Sequence, residues 1–220
     1  MEDIAFTRRE NTFHLEDFPD AVKVIKTTGR QSRRLADLSL HKNDLDFAFE
    51  CLETINRTSR EPQILHDVLW QSAIVSFIKC FGGSKARFSL DHKVIYKHHA
   101  GAAEVYKFFY SLRNKNIVHD ENSYTQSLPG AVLNKDGMDH KIAKIVILSV
   151  TGKTLEQENY SNLRLLVTKA REWVISEFDK RCNILTAELE ARPYNELLAT
   201  EGVAYTAPAA DDVHKPRASL

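Results

Sequence analysis

Apolar side chains recur at helical spacing in four stretches of this chain and crowd together at strand-like density in one. The first stretch holds Leu45, Ala48, Phe49, Leu52 and Ile55 at three- and four-residue intervals, with Asn43 or Asp44 available as a cap. Ser59 and Pro62 end that helix and begin the next. From residue 63 to 81, Ile64, Leu65, Val68, Leu69, Ala73, Ile74, Val75, Phe77 and Ile78 spread around most of the circumference, and the small Ser72 and Ser76 add little polarity. A helix apolar on nearly all sides is predicted to be central. Gly82-Gly83 closes it, and Ser84 to Lys93 reads as a loop or short helix. A third helix is expected from about Val94 to Val118, with Val105, Phe108, Phe109 and Leu112 as its stripe and Gly101 as an interruption. The last begins near Thr154-Leu-Glu-Gln157, which has the form of a capping box. It carries Leu163, Leu166, Val167, Ala170, Val174, Phe178 and Leu185 until Pro193 stops it.

The period changes once. Ala131-Val-Leu and Lys141-Ile-Ala-Lys-Ile-Val-Ile-Leu148 flank Asn134-Lys-Asp-Gly137. Turn residues between two β-prone runs predict a hairpin, at about residues 128–149, and it is the only clear β signal. Residues 1–30 are mixed: Phe6, Phe13, Phe18, Val22, Val24 and Ile25 suit a strand or a short helix equally. The tail from about residue 196, with Ala-Pro-Ala-Ala and Pro216, has the composition of a disordered segment. The expected architecture is an all-α bundle of four to five helices over 31–195 with one inserted β-hairpin, preceded by an extension and followed by a tail. Long helices with broad apolar faces in a small bundle leave surface for a second copy, so a homodimer is expected.

Charge narrows the function. Lys+Arg and Asp+Glu both number 30, so no molecule-wide basic field draws in nucleic acid and any such contact must be local. The clusters Arg8-Arg9, Arg30 to Arg34 and Lys93 to His99 read first as solvated faces. Cys51, Cys80 and Cys182 are odd in number, far apart and without CxxC spacing, which suits a reducing compartment better than a disulfide framework or a zinc site. No run spans a bilayer, and the N-terminus lacks the basic-then-apolar order of a secretion signal. The expectation is a cytoplasmic protein with no membrane partner and no cofactor or metal.

The chemistry-bearing segment is Ser111-Leu-Arg-Asn-Lys-Asn-Ile-Val-His-Asp120. A permanent cation, an amide and a titratable imidazole follow directly from an apolar helix. Cleaving RNA without a metal needs a base for the ribose 2′-OH, an acid for the leaving 5′-oxygen and a cation for the phosphorane. A histidine side chain can both take and give a proton in the physiological range, so His119 is the candidate for the proton transfers. Arg113 stays charged and grips phosphate through paired N–H bonds. Asn114 can hold a non-bridging oxygen or orient a neighbour, and Lys115, Tyr110 and Asp120 are candidates for substrate contact. On an ideal helix the six-residue step from Arg113 to His119 turns the side chains by about 240° over a rise of about 9 Å. Two arrangements remove that obstacle: the helix ends near Asn116, or two copies complete one site between them.

Arg-Asn-Lys-Asn-Ile-Val-His resembles the R-x(4–6)-H motif of HEPN domains, in the form where a polar Asn follows the Arg. The preceding Tyr-Ser-Leu and the following Asp-Glu are similar too, and the detailed likeness covers about residues 104–122. The resemblance implies an all-α, usually dimeric domain. It implies metal-independent RNA cleavage, with Arg113 and His119 as the catalytic pair and Asn114 as accessory. It also implies a toxin or abortive-infection effector in antiviral defence, with an antitoxin as a possible partner. The chain departs from the H-x-Y arrangement through which some members are neutralised, because the nearest following tyrosine is Tyr124. A noncatalytic module of the same class, binding RNA or nucleotide or a protein, is the alternative.

The remaining signals are weaker. His98-His99 point to different helix faces, and neither His66-Asp67 nor Asp91-His92 has zinc-site spacing. Gly82-Gly83-Ser-Lys85 lacks the P-loop spacing. Trp70 and Trp173 suit a core or an interface, and Tyr106 and Tyr110 suit packing or, if exposed, base stacking.

Overall fold

A computed structural model describes residues 6–9 and 12–15 as backbone strands, and residues 18–58, 62–83, 86–119, 121–204, 207 and 209–215 in full. Ser59, Ser84, Lys85, Asp120 and Pro216 lie outside the described residues, as do the side chains of Phe6, Arg8, Arg9 and Phe13. The chain is mostly helical. Strands β1 (Phe6–Arg9) and β2 (Thr12–Leu15) come first, then helices α1 (Gly29–Arg57), α2 (Gln63–Lys79), α3 (His92–Ile95) and α4 (Ala102–Leu112). A π-helical turn, Arg113–Ile117, is followed by β3 (Thr125–Leu133), β4 (Ile142–Thr151), α5 (Gln157–Glu190), α6 (Tyr194–Ala199) and a 3-10 turn at Ala210–His214. The backbone contacts divide into two compact units. One holds Met1–Asn43, Gly83–Ser89 and Ala170–Leu220, and the other holds Asp44–Gly82 and Leu90–Lys169.

In the second unit the helical stripes read from the sequence form the core. Leu45, Ala48, Leu52 and Ile55 are buried, as are Leu163, Leu166 and Val167. α2 buries Trp70, Ala73, Ile74, Phe77 and Ile78, but its first turns leave Ile64, Leu65 and Val68 exposed, so only its C-terminal half is central. Buried polar groups find partners, as burial requires. The Trp70 indole donates to Thr154 Oγ1 at 3.0 Å, the Tyr96 hydroxyl to the Leu166 carbonyl at 2.9 Å, and the Tyr160 hydroxyl to the Leu52 carbonyl at 3.0 Å. Thr154 therefore serves Trp70 rather than a capping box, and α5 starts three residues later, at Gln157.

β3 and β4 pair antiparallel from Thr125↔Thr151 to Leu133↔Ile142, with an irregularity between Val132 and Leu133. Asn134 accepts no helix role; its amide N–H donates to the Lys141 carbonyl and its side chain to the His140 carbonyl, while Gly137 takes φ 86° in the turn. Pro129 is tolerated because each strand has an open edge. Both faces are apolar and open: Ile145 and Ile147 are each 66% exposed on one side and Leu148 is 60% exposed on the other.

In the first unit the structure departs from the sequence reading in three ways. β1 and β2 form a second hairpin, pairing Phe6↔Leu15 through Arg9↔Thr12. α1 begins at Gly29, so Asn43 and Asp44 are interior residues, and Asp44 pairs with Lys79 at 2.9 Å within the second unit. The segment read as a disordered tail contains paired backbone: Gly202 bridges Ile25, and the Lys23 ammonium donates to the Thr200 carbonyl at 2.7 Å. Here Leu38, His41, Ala170 and Val174 are fully buried. Among the described residues, no helix is long and apolar enough to cross a membrane.

Phe109 is fully buried, with its ring edge-to-face against Trp70 at 5.9 Å, whereas the adjacent Tyr110 is exposed. Phe109→Ala is expected to cost about 3–5 kcal/mol in urea unfolding, and Tyr110→Ala less than about 0.5 kcal/mol. Equal midpoints for the two variants would contradict this placement.

Candidate functional site

α4 opens at Gly101, whose left-handed φ of 77° lets the chain turn into the helix where a side chain would be strained. Ala102, Tyr106, Phe109 and Leu112 then lie on one buried face. Tyr106 is fixed by its neighbours: its ring stacks on His92 at 4.3 Å and 10°, and it meets Phe81 at 5.1 Å. It is 6% exposed and so unavailable for base stacking, while Tyr110 remains open at 45%. Val105 and Phe108, read as core, are only half-buried.

The helix changes character at Arg113. From Arg113 to Ile117 the backbone widens into a π turn, closed by the Val118 N–H donating to the Arg113 carbonyl at 3.0 Å. A five-residue hydrogen-bonded step replaces the usual four. Asn114, Asn116 and the β-branched Ile117-Val118 are poor helix residues, which is why regular turns stop here. A second clasp follows, with the Glu121 N–H donating to the Lys115 carbonyl at 2.8 Å. His119 therefore sits in a bend held at both ends by backbone bonds to the motif itself. Of the two arrangements left open by the sequence, the helix does end in the motif, at Ile117.

Arg113 and Asn114 are half-buried and joined, with Arg113 Nη1 donating to Asn114 Oδ1 at 2.6 Å. Arg113 Nε is buried without a hydrogen-bond partner. A buried orphan donor is costly, and here it belongs to a cation. Lys115 and His119 are exposed. Among the described residues no hydrogen bond joins Arg113 to His119 within one copy. Asp120 lies outside the described residues. The arrangement thus brings together a guanidinium and an amide, and presents Tyr110, Lys115 and His119 to solvent. Sequence reasoning missed the π turn, although Asn116-Ile-Val was its visible sign, and missed the His92 stack on Tyr106.

The other histidine signals resolve structurally. His66 Nε2 lies 2.8 Å from the Thr58 carbonyl and so caps the turn after α1. Among the described residues no group of three metal-ligating side chains exists. No family model, no curated protein and no solved structure matches this chain.

Burial, then the Tyr110 phenol and the Asp91 carboxylate, push the Tyr106 hydroxyl up to about 12. The folded state then keeps a proton that the unfolded chain releases near pH 10. Stability attributable to Tyr106 is intact below pH 10 and falls as pH rises from 10 towards 12. Ultraviolet titration of phenolate should show several late-ionising tyrosines, Tyr96 and Tyr160 among them, and Tyr106→Phe should remove the component near pH 12. A component near pH 12 that persists unchanged in Tyr106→Phe would refute the buried stack.

Proposed function

We propose that this chain is a metal-independent endoribonuclease of HEPN type, acting as a toxin or antiviral-defence effector on RNA, with an antitoxin as its controlling partner. The observation that carries the reading is the wide turn at Arg113–Ile117. It holds a half-buried guanidinium against an amide and delivers an exposed imidazole at His119. In this reaction a base removes the 2′-OH proton, O2′ attacks phosphorus, and the 5′-oxygen leaves with a proton from an acid. The products are a 2′,3′-cyclic phosphate end and a 5′-hydroxyl end. Arg113 neutralises the phosphorane's extra charge, Asn114 orients the guanidinium, and Lys115, Tyr110 and Asp120 contact the strand.

In-line displacement sets O2′ and the leaving 5′-oxygen on opposite apices of the phosphorane, so an imidazole placed to take the 2′-OH proton does not also face the leaving oxygen. Two copies, each contributing a His119, supply both base and acid, so the working form is a homodimer. The β3–β4 hairpin supports this, because its open edges and exposed Ile145, Ile147 and Leu148 form an apolar ribbon suited to a second copy. An exposed apolar edge strand otherwise invites uncontrolled pairing.

The test is cleavage of a labelled RNA in EDTA. His119→Ala should lower the rate about 10²- to 10⁴-fold and Arg113→Ala about 10²- to 10³-fold, with circular dichroism unchanged. RNA retained without any product by the parent protein would replace catalysis with the noncatalytic binding reading. Separately, the double variant Ile145→Lys with Ile147→Lys should scatter light as a monomer and lose cleavage. A dimer that survives both charges would move the interface away from the hairpin.

A further inference from the structure

Arg30 to Arg34 read from the sequence as a solvated face. In the first unit Arg30 and Arg33 are exposed, and with half-buried Arg34 they also meet Arg181 around a cavity of about 420 Å³, with Asp37 and Phe88 completing the wall. The volume lies within the range of small-ligand pockets.

The walls are held in place. Phe88 is fixed by α1: its N–H donates to Asp37 Oδ2 at 3.3 Å, and its carbonyl accepts from His41 Nε2 at 2.8 Å. The Arg34 guanidinium then lies 3.1 Å above the centre of the Phe88 ring. Positions 34, 37 and 41 share one helix face, so a single face of α1 places both the ring and the cation on it. From α5, Arg181 donates to Gln31 Oε1 at 3.3 Å, and its Nε is buried without a partner.

The charge is unbalanced. Four guanidinium groups line the cavity against the one carboxylate of Asp37. Among the described residues, no ion pair joins Arg30, Arg33 or Arg34 to a carboxylate. Glu177, the other nearby acid, is engaged by Lys180 at 2.8 Å and by Arg181 at 3.5 Å. The first turn of α1 carries no acidic side chain to offset these cations. Burial, followed by repulsion from Arg181, pushes the Arg34 pKa down. Like charges gathered at this density repel, and an anion in the cavity removes the repulsion.

We propose that this cavity binds a ligand carrying two linked phosphate groups. Planar guanidinium forks match phosphate oxygens in pairs. A single carboxylate would leave most of the positive charge unbalanced, whereas two joined phosphates bring a comparable negative charge into a space that accommodates them. The site shares no residue with Arg113, Asn114 or His119, so it stands or falls apart from RNA cleavage.

Isothermal titration of the full chain with inorganic pyrophosphate tests it, with inorganic phosphate and ATP as parallel arms. Pyrophosphate should bind saturably, and phosphate at least about tenfold more weakly. ATP binding as tightly as pyrophosphate identifies a nucleotide as the source, and weaker ATP binding identifies the free diphosphate. Arg34→Gln and Arg181→Gln should each lower pyrophosphate affinity about tenfold or more. If Arg181→Gln fails to fold, the exposed Arg33→Gln replaces it, with an expected loss of about threefold and a shallower salt dependence. The proposal is overturned if no arm gives saturable heat, or if Arg34→Gln and Arg33→Gln bind pyrophosphate as the parent does.

Discussion

A carbonyl at the end of an α-helix needs a donor, and here the Arg113 carbonyl takes the Val118 N–H rather than the N–H one residue earlier. Upstream, α4 cannot shift to accommodate this choice, because Phe109 and Leu112 are buried in the second unit. The extra residue is absorbed at Arg113–Ile117, the polar stretch. The same bond fixes where the helix stops and where the bend carrying His119 begins. The placement of the motif residues on either side of the turn follows from that pairing. Arg113 and Asn114 remain on the helix side, half-buried and mutually bonded, while His119 lies past the clasp and is solvated.

What the sequence shows well is apolar periodicity, since burial is what creates it. Leu163, Leu166, Val167, Ala170 and Val174 were legible as one stripe, and all are buried. The start of α1 was not legible. Its first turns read Gly29-Arg-Gln-Ser-Arg-Arg, with no apolar residue to set a phase, and the helix there is stabilised by long-range contacts such as those to Phe88. The same holds for Thr154. Its spacing fits a cap, but the Trp70 indole, 84 residues away, claims its hydroxyl. Local chemistry proposes partners, and tertiary packing selects among them. In the candidate site the residue types were visible as chemistry, but the wide turn was not, because π geometry depends on where the preceding helix is anchored.

Tyr106 and Tyr110 make the same point at closer range. The two aromatics sit one turn apart and look equivalent in sequence. His92 and Phe81 enclose the first, and nothing encloses the second to a similar degree. A polar tip on an aromatic ring does not decide exposure; the neighbours supplied by α3 and the end of α2 do. Of the two, only Tyr110 is open to solvent.

Zero net charge argues against a nucleic-acid field spread over the whole molecule, but it constrains totals rather than positions. Arginine is distributed here so that Arg113, and Arg30, Arg33 and Arg34, form no ion pair among the described residues, while Arg181 shares Glu177 with Lys180. Arg113 faces an amide, and Arg30, Arg33 and Arg34 face one another and Arg181. Surface cations of ordinary stability function take carboxylates at helical spacing, as Lys107 does with Glu104 and Lys180 with Glu177. Such pairs contribute little and demand little. An arginine half-removed from water without such a pair is different, since its guanidinium cannot shed its proton and its desolvation is not offset within the fold. Buried, unpartnered Nε atoms occur at Arg113 and Arg181, one in each group. Phosphate oxygens are the acceptors proposed for both places.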